Sequence, residues 1–355
     1  MLIVRSELIE SLEPHGRNPR RDRIEEGYEK SFEWLWALEK SGPGFVNWLQ
    51  GDEPLFWIAG KPGSGKSTLM KQAFYDARTL NYLSSNKDQP VRIACFFFHE
   101  LGSDEEQNLL GFLHGILAQL LKSFKELAPC VIPIFKRLKH SSRPVNQRSI
   151  WTQHELMHTL KHIFKEANQT GCICLFIDGL DECAGSHRDQ LDFLLPWIRN
   201  ANRSRVSLKV CLASRPLVEI EHRLSRYPGF KIHEWTITDI AAFTIGKLRE
   251  TTMMLSCSDD TQVIRKDVQQ GLIDNILDKA SGVFLWVKLV VQEIVIGLED
   301  GDTDRELQER LDHLPPELED LYQRIIVQIS PQYWKDAFNY FQLLIHSRRP
   351  SLELI

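Results

Sequence analysis

Polyphosphate chemistry calls for a lysine and a hydroxyl at the end of a glycine-rich run, and Gly60-Lys61-Pro62-Gly63-Ser64-Gly65-Lys66-Ser67-Thr68 supplies both. Glycines at 60, 63 and 65 reach backbone conformations closed to other residues, so successive N–H groups can curl round an anion. Lys66 would reach the β- and γ-phosphates, and the Ser67 hydroxyl would take one position on Mg²⁺. The competing reading is a glycine-rich turn with a solvated lysine. A second cluster, Asp178-Gly179-Leu180-Asp181-Glu182, offers the carboxylates such a site needs. Asp178 is the candidate Mg²⁺ ligand, and Asp181 and Glu182 are candidates for orienting or deprotonating an attacking water. An acidic surface turn is the alternative. In a third cluster, Ser214-Arg215-Pro216, Ser214 and Arg215 could approach the terminal phosphate and report its presence. Against that stands an arginine that caps a strand end and pairs with Glu219 or Glu221.

The elements that must hold these residues are legible around them. Leu55–Ala59 reads as a short buried strand before the glycine run, and Ser67 to Tyr75 as a helix with Leu69, Met70 and Phe74 apolar. Cys172 to Ile177 is apolar throughout, as a central parallel strand requires, and ends in Asp178. Leu208 to Ala213 repeats the pattern before Ser214. Strand ends of a parallel sheet line a ligand crevice, which would gather all three clusters. Val91 to Phe98 is expected as a further strand and Phe230 to Trp235 as the last. Leu109, Phe112, Leu113, Ile116, Leu117, Leu120 and Leu121 mark a helix over the sheet. The fold class is therefore a three-layer α/β/α P-loop fold with a mainly parallel sheet.

The organisation expected along the chain is a charged helical segment over 1–50 and the P-loop domain over 51–237, followed by helices alone. The four arginines 17, 20, 21 and 23 read as a solvated face, and the polar stretch from Lys139 to Gln153 as a loose insertion. The apolar stretch Val283 to Ile296 is interrupted by Lys288, Gln292 and Glu293, too short to span a bilayer, and reads as a buried helix.

At 355 residues, with 43% apolar residues, there is room for several domains. A net charge of −5 gives no global basic field for nucleic acid. Seven cysteines lack CxxC pairs and read as reduced core thiols, and His154 and His158 as a surface pair. No secretory signal opens the chain, and a cytoplasmic location is expected.

In this order, GKPGSGKST, CLFIDGLDE and VCLASRP resemble the NACHT class of signal-transducing P-loop ATPases (STAND NTPases), in particular the fungal branch related to the nephrocystin-3-like P-loop region. Gly179 after the metal aspartate, with the acidic pair later, is the distinguishing mark; ordinary members of the additional-strand group carry a glutamate there. Ser31-Phe32-Glu33-Trp34-Leu35, Trp151 with Glu155-Leu156, Asp239-Ile240 and Ala280-Ser281-Gly282-Val283-Phe284-Leu285-Trp286 agree with the same branch. The family's Gly-x-Pro motif is replaced by Gly282-Val283-Phe284, which places Phe284 as a base contact or a core aromatic.

The resemblance implies an ATP/ADP-dependent switch with Mg²⁺, slow hydrolysis, self-association in the ATP state, and effector and sensor domains outside this chain. It also implies that 1–50 closes on the nucleotide, that 238–314 is a helical subdomain and that 315–355 begins a winged-helix-like domain. Nonself recognition or programmed cell death is the implied setting. No guanine-reading Asn-Lys-x-Asp motif is present. A turnover ATPase or kinase, and a scaffold stabilised by nucleotide, are the alternatives.

Overall fold

The computed structural model describes residues 2–16, 19–38, 42–85, 90–140, 150–167, 172–203, 207–255, 266–327 and 329–346. Arg17, Cys257, most of the expected polar insertion (141–149) and the last nine residues lie outside them.

Five strands, β1 (Leu55–Ala59), β2 (Val91–Phe97), β3 (Cys172–Asp178), β4 (Ser207–Ser214) and β5 (Gly229–Lys231), form one parallel sheet in the order β2-β3-β4-β1-β5. β1 and β3 are buried along their whole length, which is why both read as unbroken apolar runs. Cys172, Cys174 and Cys211 are buried within this sheet and form no disulfide among the described residues. Register brings the three motifs to one edge. Ala59 lies opposite Ser214, and Ile177 opposite Leu212, so β1, β4 and β3 end side by side.

The last strand is shorter than the sequence pattern suggests. β5 pairs only with β1, its Lys231 lies opposite Ala59, and there β1 gives way to the glycine loop. With no partner left, Ile232–Glu234 turns into a 3-10 helix and buries Ile232. β2 likewise ends at Phe97, one residue early, although the Phe98 N–H still bonds the Asp178 carbonyl.

Helices cover both faces. Leu69, Met70 and Ala73 of the helix Lys66–Tyr75 pack on one face with Phe45, Trp48 and Leu49. On the other face, the helix Leu109–Ser123 is buried on nearly every side, because Leu8 and Leu12 of the helix Leu2–Gly16 share its core. That explains a helix too apolar for a simple amphipathic cover. His154 and His158 are exposed, as a surface pair should be.

A separate helical core follows the sheet. Ile240, Phe243 and Leu248 of the helix Ile237–Leu255 join Trp286, Val287, Val290, Val291 and Ile294 of the helix Phe284–Glu299. Leu307, Leu311 and Leu321 complete it. Among the described residues no helix is long and apolar enough to cross a membrane.

Candidate nucleotide-binding site

The strand tips, the chain before β1 and the helical core enclose one cavity of about 560 Å³. Pro62, Gly63, Ser64, Gly65, Lys66, Ser67 and Thr68 line it, with Asp178, Asp181, Glu182 and Arg215. The sequence-derived candidates therefore converge on one space, apart from Ser214 and two residues of the glycine run. Gly60 and Lys61 do not line the cavity; their carbonyls accept hydrogen bonds from Lys66 Nζ at 2.8 and 2.9 Å. Gly60 is glycine because a Cβ there would sit 2.4 Å from Ile232. Gly63 and Gly65 adopt φ +69° and +90°, the left-handed region that lets the loop present its N–H groups inward. The helix Lys66–Tyr75 begins directly behind it, so unpaired N–H groups and the helix dipole favour an anion in the loop.

Asp178 is 2% exposed, and its Oδ1 is buried without a hydrogen-bond partner. Burial pushes its pKa up to about 6, against a hydrogen bond from Ser67 and the nearby Lys66 charge. A buried, unsatisfied carboxylate oxygen beside a hydroxyl fits a Mg²⁺ ion, which takes one or two protein oxygens and keeps its waters. Among the described residues no group of three His, Cys, Asp or Glu side chains forms a metal cage of its own. The Lys66 ammonium is held below its ordinary range by burial, with Asp178 and Asp181 opposing that shift.

The small residue after Asp178 has a geometric reason. Gly179 has φ +68°, and it turns the chain from β3 into the 3-10 turn that carries Asp181 and Glu182. The two carboxylates then separate in character. Asp181 Oδ1 accepts from the Arg215 N–H at 2.9 Å, and Oδ2 takes the guanidinium Nε. Arg215 is thus paired, but with Asp181 rather than with Glu219 or Glu221. Glu182 keeps more freedom: Oε2 accepts one bond, from the Glu100 N–H at 3.2 Å, and burial raises its pKa. Ser214 turns away from the cavity. It is fully buried, its hydroxyl accepts from the Trp57 indole at 2.9 Å, and its carbonyl accepts the Gly60 N–H.

The far end of the cavity is built by residues with no local motif. Asp239, 8% exposed at the start of the helix Ile237–Leu255, accepts the Phe32 N–H at 3.1 Å and the Trp34 indole N–H at 2.9 Å through one oxygen. Trp34 stacks on Trp235 at 5.7 Å, and Tyr28 meets Phe243 edge-on at 5.4 Å. Phe32, itself at φ +67°, reaches the glycine loop: a Cβ on Gly65 would be 3.7 Å from its ring. Leu285 of the helical core donates its N–H to the Gly63 carbonyl at 2.9 Å. Gly63 allows that approach, since a Cβ there would lie 2.8 Å from the Leu285 Cβ, and Gly282 at φ +75° lets the same turn pack on His233, whose carbonyl a Cβ would meet at 2.2 Å. Phe284 lines the cavity and packs on Phe243 at 5.0 Å. Sequence reasoning passed over Tyr28, Thr236 and Lys288 as cavity residues, and it read Asp239 and Phe32 only as fragments of a family pattern. The arginine cluster was read as solvated, yet Arg20 lines the cavity.

A parallel sheet with a phosphate loop after β1, and a carboxylate at the tip of a strand separated from it by one other, defines a P-loop NTPase of the additional-strand kind, and here it carries a helical region behind it. The family model for the N-terminal region of nephrocystin 3 matches residues 31–215, more than half of the chain, and the chain belongs to that family. It is 25% identical over 329 residues to the vegetative incompatibility protein HET-E-1 of Podospora anserina, covering 88% of this chain. The chain spans only 22% of that relative's length. The structure of Drosophila ORC bound to DNA superposes at a TM-score of 0.43 and 14% identity, over 87% of this chain and 72% of that one.

Proposed function

We propose that this chain is an ATP-binding switch of the NACHT type, with Mg²⁺ as its cation, that hydrolyses slowly and self-associates in the ATP state. The observation that carries this reading is the Leu285 N–H bonded to the Gly63 carbonyl. It joins the helical core to the phosphate loop itself, so a change in the loop's occupancy alters a contact that sets the domain arrangement.

In this reading the loop N–H groups and Lys66 bind the phosphates. Ser67 and Asp178 hold Mg²⁺, which supplies charge neutralisation at the phosphates when bound. Glu182 is the general base, since Asp181 is committed to Arg215. Arg215, fixed by that pair, faces the terminal phosphate. Thr68 closes the loop's rim, and the wall formed by Phe32, Tyr28 and Phe284 takes the base. The preference for adenine comes from the family resemblance. The relative's name, vegetative incompatibility protein, supports a setting in nonself recognition; the cytoplasmic location and separate effector and sensor segments come from the family resemblance.

The test is single-turnover and steady-state ATPase with Mg²⁺, alongside the mass of the chain in ATP and in ADP. Slow turnover with an ATP-dependent rise in mass is expected. Rapid turnover by a constant monomer would favour a turnover enzyme, and no nucleotide binding at all would leave only a scaffold.

A further inference from the structure

Four cationic side chains line the cavity: Arg20, Lys66, Arg215 and Lys288. Lys66 is satisfied by the Gly60 and Lys61 carbonyls, Arg215 by Asp181, and Lys288 by Glu25 at 2.8 Å. Arg20 differs. Its guanidinium makes no hydrogen bond or ion pair with any described residue. Its backbone, by contrast, is firmly held. The Arg20 N–H donates to Glu106 Oε1 at 2.7 Å, and Glu106 is 1% exposed. The other oxygen of Glu106 caps its own helix by accepting the Ser103 N–H at 3.1 Å. The Glu106 carbonyl also accepts the His99 N–H, and the neighbouring Glu100 N–H holds Glu182. Arg20 is therefore fixed to the loop that orients Glu182, at the acidic end of the cavity, and its charge acts on both Glu182 and His99.

An anchored backbone with an uncommitted guanidinium facing carboxylates is arranged to receive an anion that arrives with its own cation. Arginine's planar fork suits phosphate oxygens, and a partly desolvated wall strengthens the contact. We infer that Arg20 is a terminal-phosphate ligand, delivered to the nucleotide by the segment before β1. This rests on the nucleotide-binding reading of the same cavity. Arg20 and Phe32 lie at the two ends of one short stretch, and Asp239 ties Phe32 to the helical core. Contact between Arg20 and a γ-phosphate therefore adds a second route from the nucleotide to the helical region, besides Gly63 and Leu285.

The test compares affinities for MgADP and for a non-hydrolysable Mg²⁺–ATP analogue in the full chain, its Arg20→Ala and Arg20→Gln variants, and Lys66→Ala. Arg20→Ala should weaken the ATP analogue about tenfold, equivalent to about 1.4 kcal/mol, and ADP by less than about twofold. Arg20→Gln, which keeps most of the stem, should show the same selective loss. Equal weakening of both nucleotides, or no change in either, overturns the assignment, as would a change in hydrolysis alone. The two failures differ in pattern. If the unaltered chain binds neither nucleotide, the nucleotide reading falls and this inference with it; if it binds both and Lys66→Ala does not, but Arg20→Ala behaves like the unaltered chain, only Arg20 is misassigned.

Discussion

The two ends of the cavity are built in opposite ways. The phosphate end is a set of contiguous motifs on rigid strand tips: the glycine loop after β1, Asp178 to Glu182 after β3, and Arg215 after β4. The other end is assembled from segments far apart in the chain, with Asp239 reaching back 207 and 205 residues to Phe32 and Trp34. The first end carries a buried, unsatisfied carboxylate oxygen on Asp178 and a Glu182 held by a single hydrogen bond, its pKa pushed up by burial. At the second, the Asp239 pKa is also pushed up by burial, but one of its oxygens holds two N–H donors and packed aromatic rings surround it. In the proposed switch, the first end would act on the ligand and the second would feel its presence. A switch needs both, since a ligand shifts a domain arrangement only through contacts that differ between its states.

Substitutions should separate the ends. The largest effect is expected from Glu182→Gln at the phosphate end: loss of a positioned general base should lower single-turnover hydrolysis by about 10²-fold or more while nucleotide affinity stays near that of the unaltered chain. Asp181→Asn should instead loosen Arg215, so the two acidic neighbours are distinguishable by whether binding or turnover suffers. Lys66→Ala comes next. Removing a charge-assisted phosphate contact of roughly 1.5–3 kcal/mol should weaken ATP by about 10- to 100-fold, measured by titration calorimetry; unchanged affinity would remove the loop from the site.

At the other end, Asp239→Ala leaves the Phe32 and Trp34 donors without their acceptor. A cost of about 1–3 kcal/mol is expected in thermal unfolding, with faster amide exchange near Phe32. Turnover per bound nucleotide should change little; if it collapses, the two ends are not separable.

A pH titration sharpens the comparison with a smaller effect. Because the Asp178 pKa stands at about 6, above the ordinary carboxylate range, its ion is mostly present at pH 7 and is lost as pH falls through 6. Mg²⁺-dependent affinity should drop about tenfold between pH 7 and pH 5. The cation-free chain should respond in the opposite sense. A raised carboxyl pKa means the folded state holds the proton more tightly than the unfolded one, so stability should rise as pH falls from about 6 towards 4. Asp178→Asn should abolish both trends.

Legibility followed the same division. The glycine loop could be read because an anion nest requires consecutive N–H groups, which forces its residues to be neighbours in the chain. Asp178 could be read because an unbroken apolar run ending in a carboxylate is what a buried strand tip looks like. The partner of Arg215 could not be read, for the lack of such a rule. Its local candidates were Glu219 and Glu221, while its actual partner lies 34 residues earlier, in the turn after a strand adjacent to β4 only in the sheet. The overlong last strand has the same origin, since Phe230 to Trp235 is apolar enough to continue but β1 has ended.

The sequence by itself determined the three motifs, the parallel P-loop class and the helical character of the region after the sheet, because each depends on local spacing and periodicity. Only the tertiary structure decided which carboxylate is bound to Arg215, that Ser214 serves the fold rather than the cavity, and that Asp239, Leu285 and Arg20 meet the same site. Such pairings are settled by the order of strands and by where the helical core docks, neither of which spacing along the chain encodes.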